Sequence, residues 1–174
     1  MRKTLIPFAA STALLAAASG ALAAQTAHVD LVGLGGKQVG AATLTEAPNG
    51  VLMRVEAKGL PPGWHGLHFH ETGDCSKPDF GSAGAHIHAM PAHVHGLLNP
   101  AANEAGDLPN LFVSADGAGQ AEFFTAQVSL TGQGARAKLL DADGAALVVH
   151  ASADDHQSQP IGGAGGRIAC GVIR

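Results

Sequence analysis

The sequence predicts an all-β fold, and three observations carry that expectation. Short runs alternate apolar and polar residues with period two, most cleanly where Val51, Met53, Val55 and Ala57 alternate with Leu52, Arg54, Glu56 and Lys58. Turn signals punctuate these runs: PNG at 48–50, PPG at 61–63, and ADG at 115–117 and again at 142–144. Beyond the N-terminal segment, no stretch keeps the 3.6-residue period of an amphipathic helix. Strands this short and this regularly spaced predict a Greek-key, immunoglobulin-like β-sandwich or flattened barrel.

Taken in order, the chain begins with a segment that does not belong to the fold. Arg2 and Lys3 form a basic start, LIPFAASTALLAA is an apolar run, and Ala21-Leu22-Ala23 is a small-residue cleavage signal, so residues 1–23 are expected to be a cleaved secretory signal peptide. The run is short for a bilayer span and no cysteine follows as a lipid acceptor, so no membrane anchor is expected. Residues 24–174 then form one domain, about the right length for a single core. Strands are expected near Ala27 to Val32, Gln38 to Glu46, Val51 to Lys58, Gly66 to His70, Ala121 to Ala126, Ala145 to Ala151 and Arg167 to Ile173, with a weaker one near Gln127 to Leu130. Two stretches, Glu71 to Asn110 and Asp154 to Gly166, are long and irregular, and loops of that length in a compact domain are usually functional.

Charge excludes one class of partner. Loss of Arg2 and Lys3 takes the formal charge from −4 to −6, which argues against nucleic acid. Cys75 and Cys170 are the only cysteines. In an oxidising compartment they allow a single disulfide, closing a loop that would stabilise the fold by ~4 to 5 kcal/mol in the chain-entropy model; two buried thiols are the alternative.

Histidine carries the chemical signal. Seven of the ten histidines lie between His65 and His95, in and just before the first long loop. In LHFH, His68 and His70 are two apart on a strand, so both rings leave from one face while Phe69 points to the other. An H-x-H pair by itself is weak evidence for metal. His86 and His150, the latter ending the apolar run ALVVH, would supply a third and fourth nitrogen, and an all-imidazole tetragonal set favours Cu(II).

With these residues in place the chain resembles the secreted copper-zinc superoxide dismutases over essentially its whole mature length. The resemblance rests on HGLHFHETGDCS, SAGAH, HG, AGDLPNL, ALVVHASADD and GGAGGRIACGVI, which follow in the family's order. It implies copper and zinc as cofactors, long metal-binding and active-site loops, and conversion of superoxide to dioxygen and hydrogen peroxide by redox cycling of copper. It further implies that His68, His70, His86 and His150 bind copper. By the same resemblance His86 bridges to zinc, which His95 and Asp107 also bind. Asp154 orients ligands of both metals, Arg167 receives the anion beside copper and acts in catalysis with His86, and Cys75 pairs with Cys170.

One position departs from the family. Where its pattern reads H-x-G-D, this chain has Glu104 in EAGD. Three possibilities stand: Glu104 is itself the fourth zinc ligand, since carboxylate oxygen suits zinc; His88 or His93 swings in; or the zinc site is weak or empty and copper works alone. Apart from that second possibility, His88 and His93 are expected to be solvated loop histidines, as are His28, His65 and His156. The rival function is a periplasmic copper carrier or buffer on the same fold. The expected setting is the bacterial periplasm, with superoxide as the substrate and the protein a monomer or homodimer.

Overall fold

The computed structural model describes residues 24–88 and 93–174. The expected signal peptide, residues 1–23, lies outside them. Eleven strands and one 3-10 turn, Gly81–Ala83, make up the regular structure of the described residues. The strands are β1 (Thr26–Gly33), β2 (Gln38–Ala47), β3 (Gly50–Lys58), β4 (Gly63–His65), β5 (Leu67–His70), β6 (Leu111–Val113), β7 (Ala118–Thr125), β8 (Val128–Ser129), β9 (Ala137–Lys138), β10 (Ala146–His150) and β11 (Arg167–Val172). The all-β expectation holds. Of these, β4, β6 and β9 have no counterpart among the expected strands, because two or three residues are too few to show a period.

Seven strands form one antiparallel sheet in the order β5-β10-β11-β1-β2-β3-β7, and β4 pairs with β6 as a separate two-stranded ribbon. Chain order and spatial order differ: β5 does not follow β3 in the sheet but crosses to its far edge beside β10. This crossover carries the H-x-H strand to the edge where both long loops emerge.

The register then sorts side chains between two layers. On β5 and β10, Phe69 pairs with Leu147 and Leu67 with Val149, and these four join the main core with Leu31, Leu44, Met53 and Val55. The alternate positions, His68 opposite Val148 and His70 opposite Ala146, face the other way. There Ala146 and Val148 pack with Phe80, Ala83 and Cys170 in a second, smaller cluster. Period two therefore puts every histidine of these strands on the face that the loops cover.

The Glu71 to Asn110 loop is more ordered than its composition suggests. Three isolated antiparallel bridges tie it down: His70 with His86, His68 with Asp107, and His88 with Glu104. Between them, the Ile87 amide donates to the Phe69 carbonyl and the Phe69 amide to the Gly106 carbonyl, and Ile87 reaches the core, as does Leu108. At Gly106 the two backbones leave no room for a side chain, since a Cβ there would lie 2.3 Å from the carbonyl oxygen of Phe69.

Candidate metal centre

Four imidazoles converge on the covered face. His68 and His70 come from β5, His150 from the end of β10, and His86 from the loop strand bridged to His70. All four are buried. One nitrogen of each ring but His86 is spent on a fixed acceptor, and that choice decides where the other points. His68 Nε2–H donates to Asp154 Oδ2 at 2.8 Å, His70 Nδ1–H to the Gly84 carbonyl at 3.0 Å, and His150 Nδ1–H to the Gly165 carbonyl at 2.9 Å. His86 Nδ1 lies 2.8 Å from Glu104 Oε2.

The remaining nitrogens, His68 Nδ1, His70 Nε2, His86 Nε2 and His150 Nε2, are buried and have no hydrogen-bond partner. Burying an unpaired polar group costs about 1–3 kcal/mol, so four at one point need an explanation. The four residues offer ligand atoms that all lie within 4.8 Å of one another, which suits four bonds of about 2 Å to one ion. Burial, with the neighbouring charge of His86, pushes His70 down to about 2; burial pushes His150 down to about 4 and also lowers His68. These rings are held neutral, as ligands must be.

A second cluster adjoins the first through His86. His95 Nδ1 lies 2.8 Å from Asp107 Oδ1 and 3.2 Å from Glu104 Oε2, while His86 Nδ1 lies 2.8 Å from Glu104 Oε2 and 3.3 Å from Asp107 Oδ1. Two nitrogens and two carboxylate oxygens face one another here, donor types that zinc takes. His68 also comes within reach of His86, His95 and Asp107. Its Nε2 is bonded to Asp154 and its Nδ1 faces the first cluster, while Glu104 Oε2 lies within 3.2 Å of both His86 Nδ1 and His95 Nδ1. His86 is the shared ring, with Nε2 in one cluster and Nδ1 in the other.

Electrostatics differ between the clusters. Burial opposes charge on His95, yet hydrogen bonds to Asp107, Asp154 and Glu104 outweigh it and raise the ring to about 11. The same balance raises His86 through Asp107 and Glu104. Burial would raise Asp154 and Asp107, but histidine hydrogen bonds hold both well below the usual carboxylate range. Asp154 spans the two clusters, accepting from His68 on Oδ2 and from His95 Nε2 on Oδ1 at 3.0 Å.

Three residues that sequence patterning does not single out fix that carboxylate. The Asn110 side chain accepts from the Asp154 amide and donates to its carbonyl. His156, expected to be solvated, instead lies 3.4 Å from Asp154 Oδ2 and contacts Asn110. Gly162 has φ +59°, and a Cβ there would stand 1.6 Å from Asp154 Oδ1. Only the run GGAGG hinted at such crowding.

His65 is a correction. It is buried, not solvated, with its ring nitrogens 2.8 Å from the carbonyl oxygens of His150 and Pro61. It holds the PPG turn against the end of β10. His28 is exposed, as expected.

A cavity of about 810 Å³ opens over the first cluster, with His70, His86, His150 and Arg167 among its walls and Leu34, Pro160 and Ile161 at its apolar side. Arg167, opposite His150 across β10 and β11, donates to the carbonyls of Phe80 at 2.6 Å and Gly84 at 2.5 Å. Burial lowers its pKa, but a guanidinium starts so high that it stays charged. Cys75 and Cys170 form a disulfide, Cα to Cα 5.8 Å, which fastens the segment carrying those carbonyls to β11.

The comparisons with known proteins decide the family. The profile described as copper/zinc superoxide dismutase matches residues 38–173. This chain belongs to the copper/zinc superoxide dismutase family. Within the family it is 64% identical over 139 residues to the superoxide dismutase [Cu-Zn] of Caulobacter vibrioides, covering 80% of each chain. It is 42% identical to the superoxide dismutase [Cu-Zn] 2 of Aquifex aeolicus, covering 85% of this chain and 86% of that one. Among solved structures, a SOD-like protein from Bacillus subtilis superposes with TM-score 0.78 at 39% identity, over 84% of this chain and 97% of that one. The Cu/Zn superoxide dismutase of Brucella abortus superposes with TM-score 0.68 at 31% identity, over 86% and 100%. The likeness supports the expected sandwich class.

Proposed function

We propose that the protein is a superoxide dismutase, and that copper is held by His68 Nδ1, His70 Nε2, His86 Nε2 and His150 Nε2. The observation that carries the proposal is the convergence of four buried, partnerless imidazole nitrogens beneath a cavity walled by a charged arginine. Zinc is assigned to His86, His95, Asp107 and Glu104, so the substitution of Glu104 for the family's histidine keeps four donors. Copper held there would supply one-electron exchange with superoxide in both directions, and zinc, which cannot cycle, would supply fixed charge.

The chain's own residues do the rest. Arg167 is a fixed cation in the wall of a cavity whose far side is apolar, so it draws a small anion in despite the protein's net negative charge. Its two bonds to backbone carbonyls keep the guanidinium from swinging away. Reduction to hydrogen peroxide consumes two protons. His86 is placed to handle one of them, since its Nε2 faces the first cluster and the ring lines the cavity above it. Asp154 holds His68 and His95 in orientation, and the disulfide holds the loop that holds Arg167.

Residues 1–23 as a cleaved export signal, residues 24–174 as the working domain and the bacterial periplasm as the setting complete the proposal. The composition of the N-terminal segment and the disulfide support it. No helix among the described residues is long and apolar enough to cross a membrane.

The test is turnover. Purified protein loaded with copper and zinc is mixed with superoxide under pulse radiolysis, and metals are counted per chain. Rapid catalytic decay that is lost in His70→Ala supports the enzyme. Copper bound with no catalytic decay would select the carrier instead, a function the SOD-like name of the Bacillus subtilis relative leaves open for the fold.

A further inference from the structure

Two histidines of the metal loop, His88 and His93, take no part in either cluster, yet they do not stand apart. Their ring centroids are 3.8 Å from each other at an interplanar angle of 50°. His88 Nδ1 lies 3.0 Å from the backbone carbonyl of His86, which can only accept. In the neutral ring that bond places the proton on Nδ1 and leaves the lone pair on Nε2, the arrangement by which metal-binding histidines are oriented. The backbone of His88 is itself fixed by its bridge to Glu104. His93 is exposed and belongs to the wall of the large cavity, along with His70, His86 and His150. Glu71 Oε2 lies 3.8 Å from His88 Nδ1, close enough to favour a cation nearby without being a third ligand on the Nε2 side.

We propose that His88 and His93 form a third metal site, a two-imidazole capture point for Cu(I) beside the cavity that leads to the four-histidine cluster. The ligand count selects the ion. Zinc takes four donors and Cu(II) a tetragonal set, whereas d10 Cu(I) accepts two neutral imidazoles, a ligand type suited to copper. A ring nitrogen of the exposed His93, beside His88 in the structure, would be the second donor, opposite His88 Nε2. A pair of ligands holds copper weakly enough to release it. Transfer then runs from His93 to the cluster nitrogens lining the same cavity. The site explains why this chain keeps two histidines that neither cluster uses. The transfer role rests on the proposed function, but the existence of the site does not.

The experiment is a Cu(I) titration under anaerobic conditions against a coloured Cu(I) chelator. Three proteins are first supplied with copper and zinc for the central clusters: wild type, His93→Gln, and the double variant His88→Gln with His93→Gln. Glutamine keeps a donor for the His86 carbonyl, so the loop retains its tie. Wild type is expected to hold one more Cu(I) per chain than the double variant, with affinity at least about tenfold weaker in His93→Gln. A Zn(II) titration is expected to give no such extra equivalent. In a second arm, metal-free protein receives one equivalent of Cu(I), and filling of the four-histidine cluster is timed by chelator challenge. The double variant is expected to fill about tenfold more slowly to the same final level, because the local supply of copper is lost. Equal Cu(I) capacity in wild type and double variant, or an equal extra equivalent of zinc, would overturn the site. Equal filling rates would overturn the capture role. Failure of the central cluster to take copper would sink the dismutase proposal and not this one, since the capacity difference is read by itself.

Discussion

Replacement of Gly162 by alanine is expected to weaken both metal sites at once, although Gly162 is a ligand in neither. The new methyl would start 1.6 Å from Asp154 Oδ1, 2.6 Å from Asp154 Cγ and 3.0 Å from His95 Nε2. A carbon and an oxygen in contact need well over 3 Å, so the carboxylate must retreat by roughly 1.5 Å or more. Its bonds to His68 at 2.8 Å and His95 at 3.0 Å do not survive such a move. Loss of a carboxylate that orients metal-binding histidines lowers metal affinity by about 10- to 100-fold. Alanine at φ +59° adds a backbone cost of about 1–2 kcal/mol, which falls on the fold. The assay is competitive titration of Cu(II) and Zn(II) against chelators of known strength, in wild type, Gly162→Ala, Asp154→Ala and the double variant. Gly162→Ala should resemble Asp154→Ala for both ions, and the double variant should be hardly worse than either single, because both act through one carboxylate. Wild-type affinity for both ions in folded Gly162→Ala, or losses that simply add in the double variant, would refute the reasoning.

Four further outcomes are expected. Replacing Cys75 and Cys170 by serine opens a loop of sequence separation 95 and should cost the metal-free protein about 4–5 kcal/mol in a denaturant titration. Arg167→Ala should lower kcat/KM for superoxide about tenfold or more and flatten its ionic-strength dependence in pulse radiolysis, with copper content unchanged. Glu104→Ala should reduce zinc per chain after dialysis against a weak chelator, whereas Glu104→His should retain it, as counted by metal analysis. The metal-free protein should be most stable near the ordinary histidine pKa. His150, held at about 4, binds its proton more readily when unfolded, so its contribution is lost as pH falls from 6.5 to about 4 and reaches ~3 kcal/mol. His70, held at about 2, extends that loss further down. His95, raised to about 11, acts oppositely: its contribution is full below 6.5 and is lost as pH climbs through 11. Denaturation midpoints across pH should trace this bell.

Much of this architecture is legible in the sequence because it is local. The alternation from Val51 to Lys58 specifies β3, and the spacing of His68 and His70 specifies that both rings share a face, since period two belongs to the strand itself. Assembly of the clusters is not local. The pairing of β5 with β10 at the far edge of the sheet, which brings His150 to His68, follows from a crossover that no window of residues encodes. Patterning treats His65 as one more histidine of a polar turn, and only the three-dimensional position of the Pro61 and His150 carbonyls makes it a buried strut. Glu104 is the intermediate case. The sequence exposes the substitution, but whether its carboxylate reaches His86 and His95 depends on the bridge to His88. Gly162 is legible only as one glycine in a run, because its role is the absence of a side chain beside an atom eight residues away in the chain.

The imidazole of His86 and the carboxylate of Asp154 each belong to two clusters. Under the proposed assignment, occupation of either site would fix the orientation of groups the other needs, so the two ions would be thermodynamically linked. Linkage is reciprocal: whatever factor zinc confers on copper affinity, copper must confer on zinc. The order in which the cell supplies the two ions therefore changes the route to the loaded enzyme but not the combined free energy of filling it.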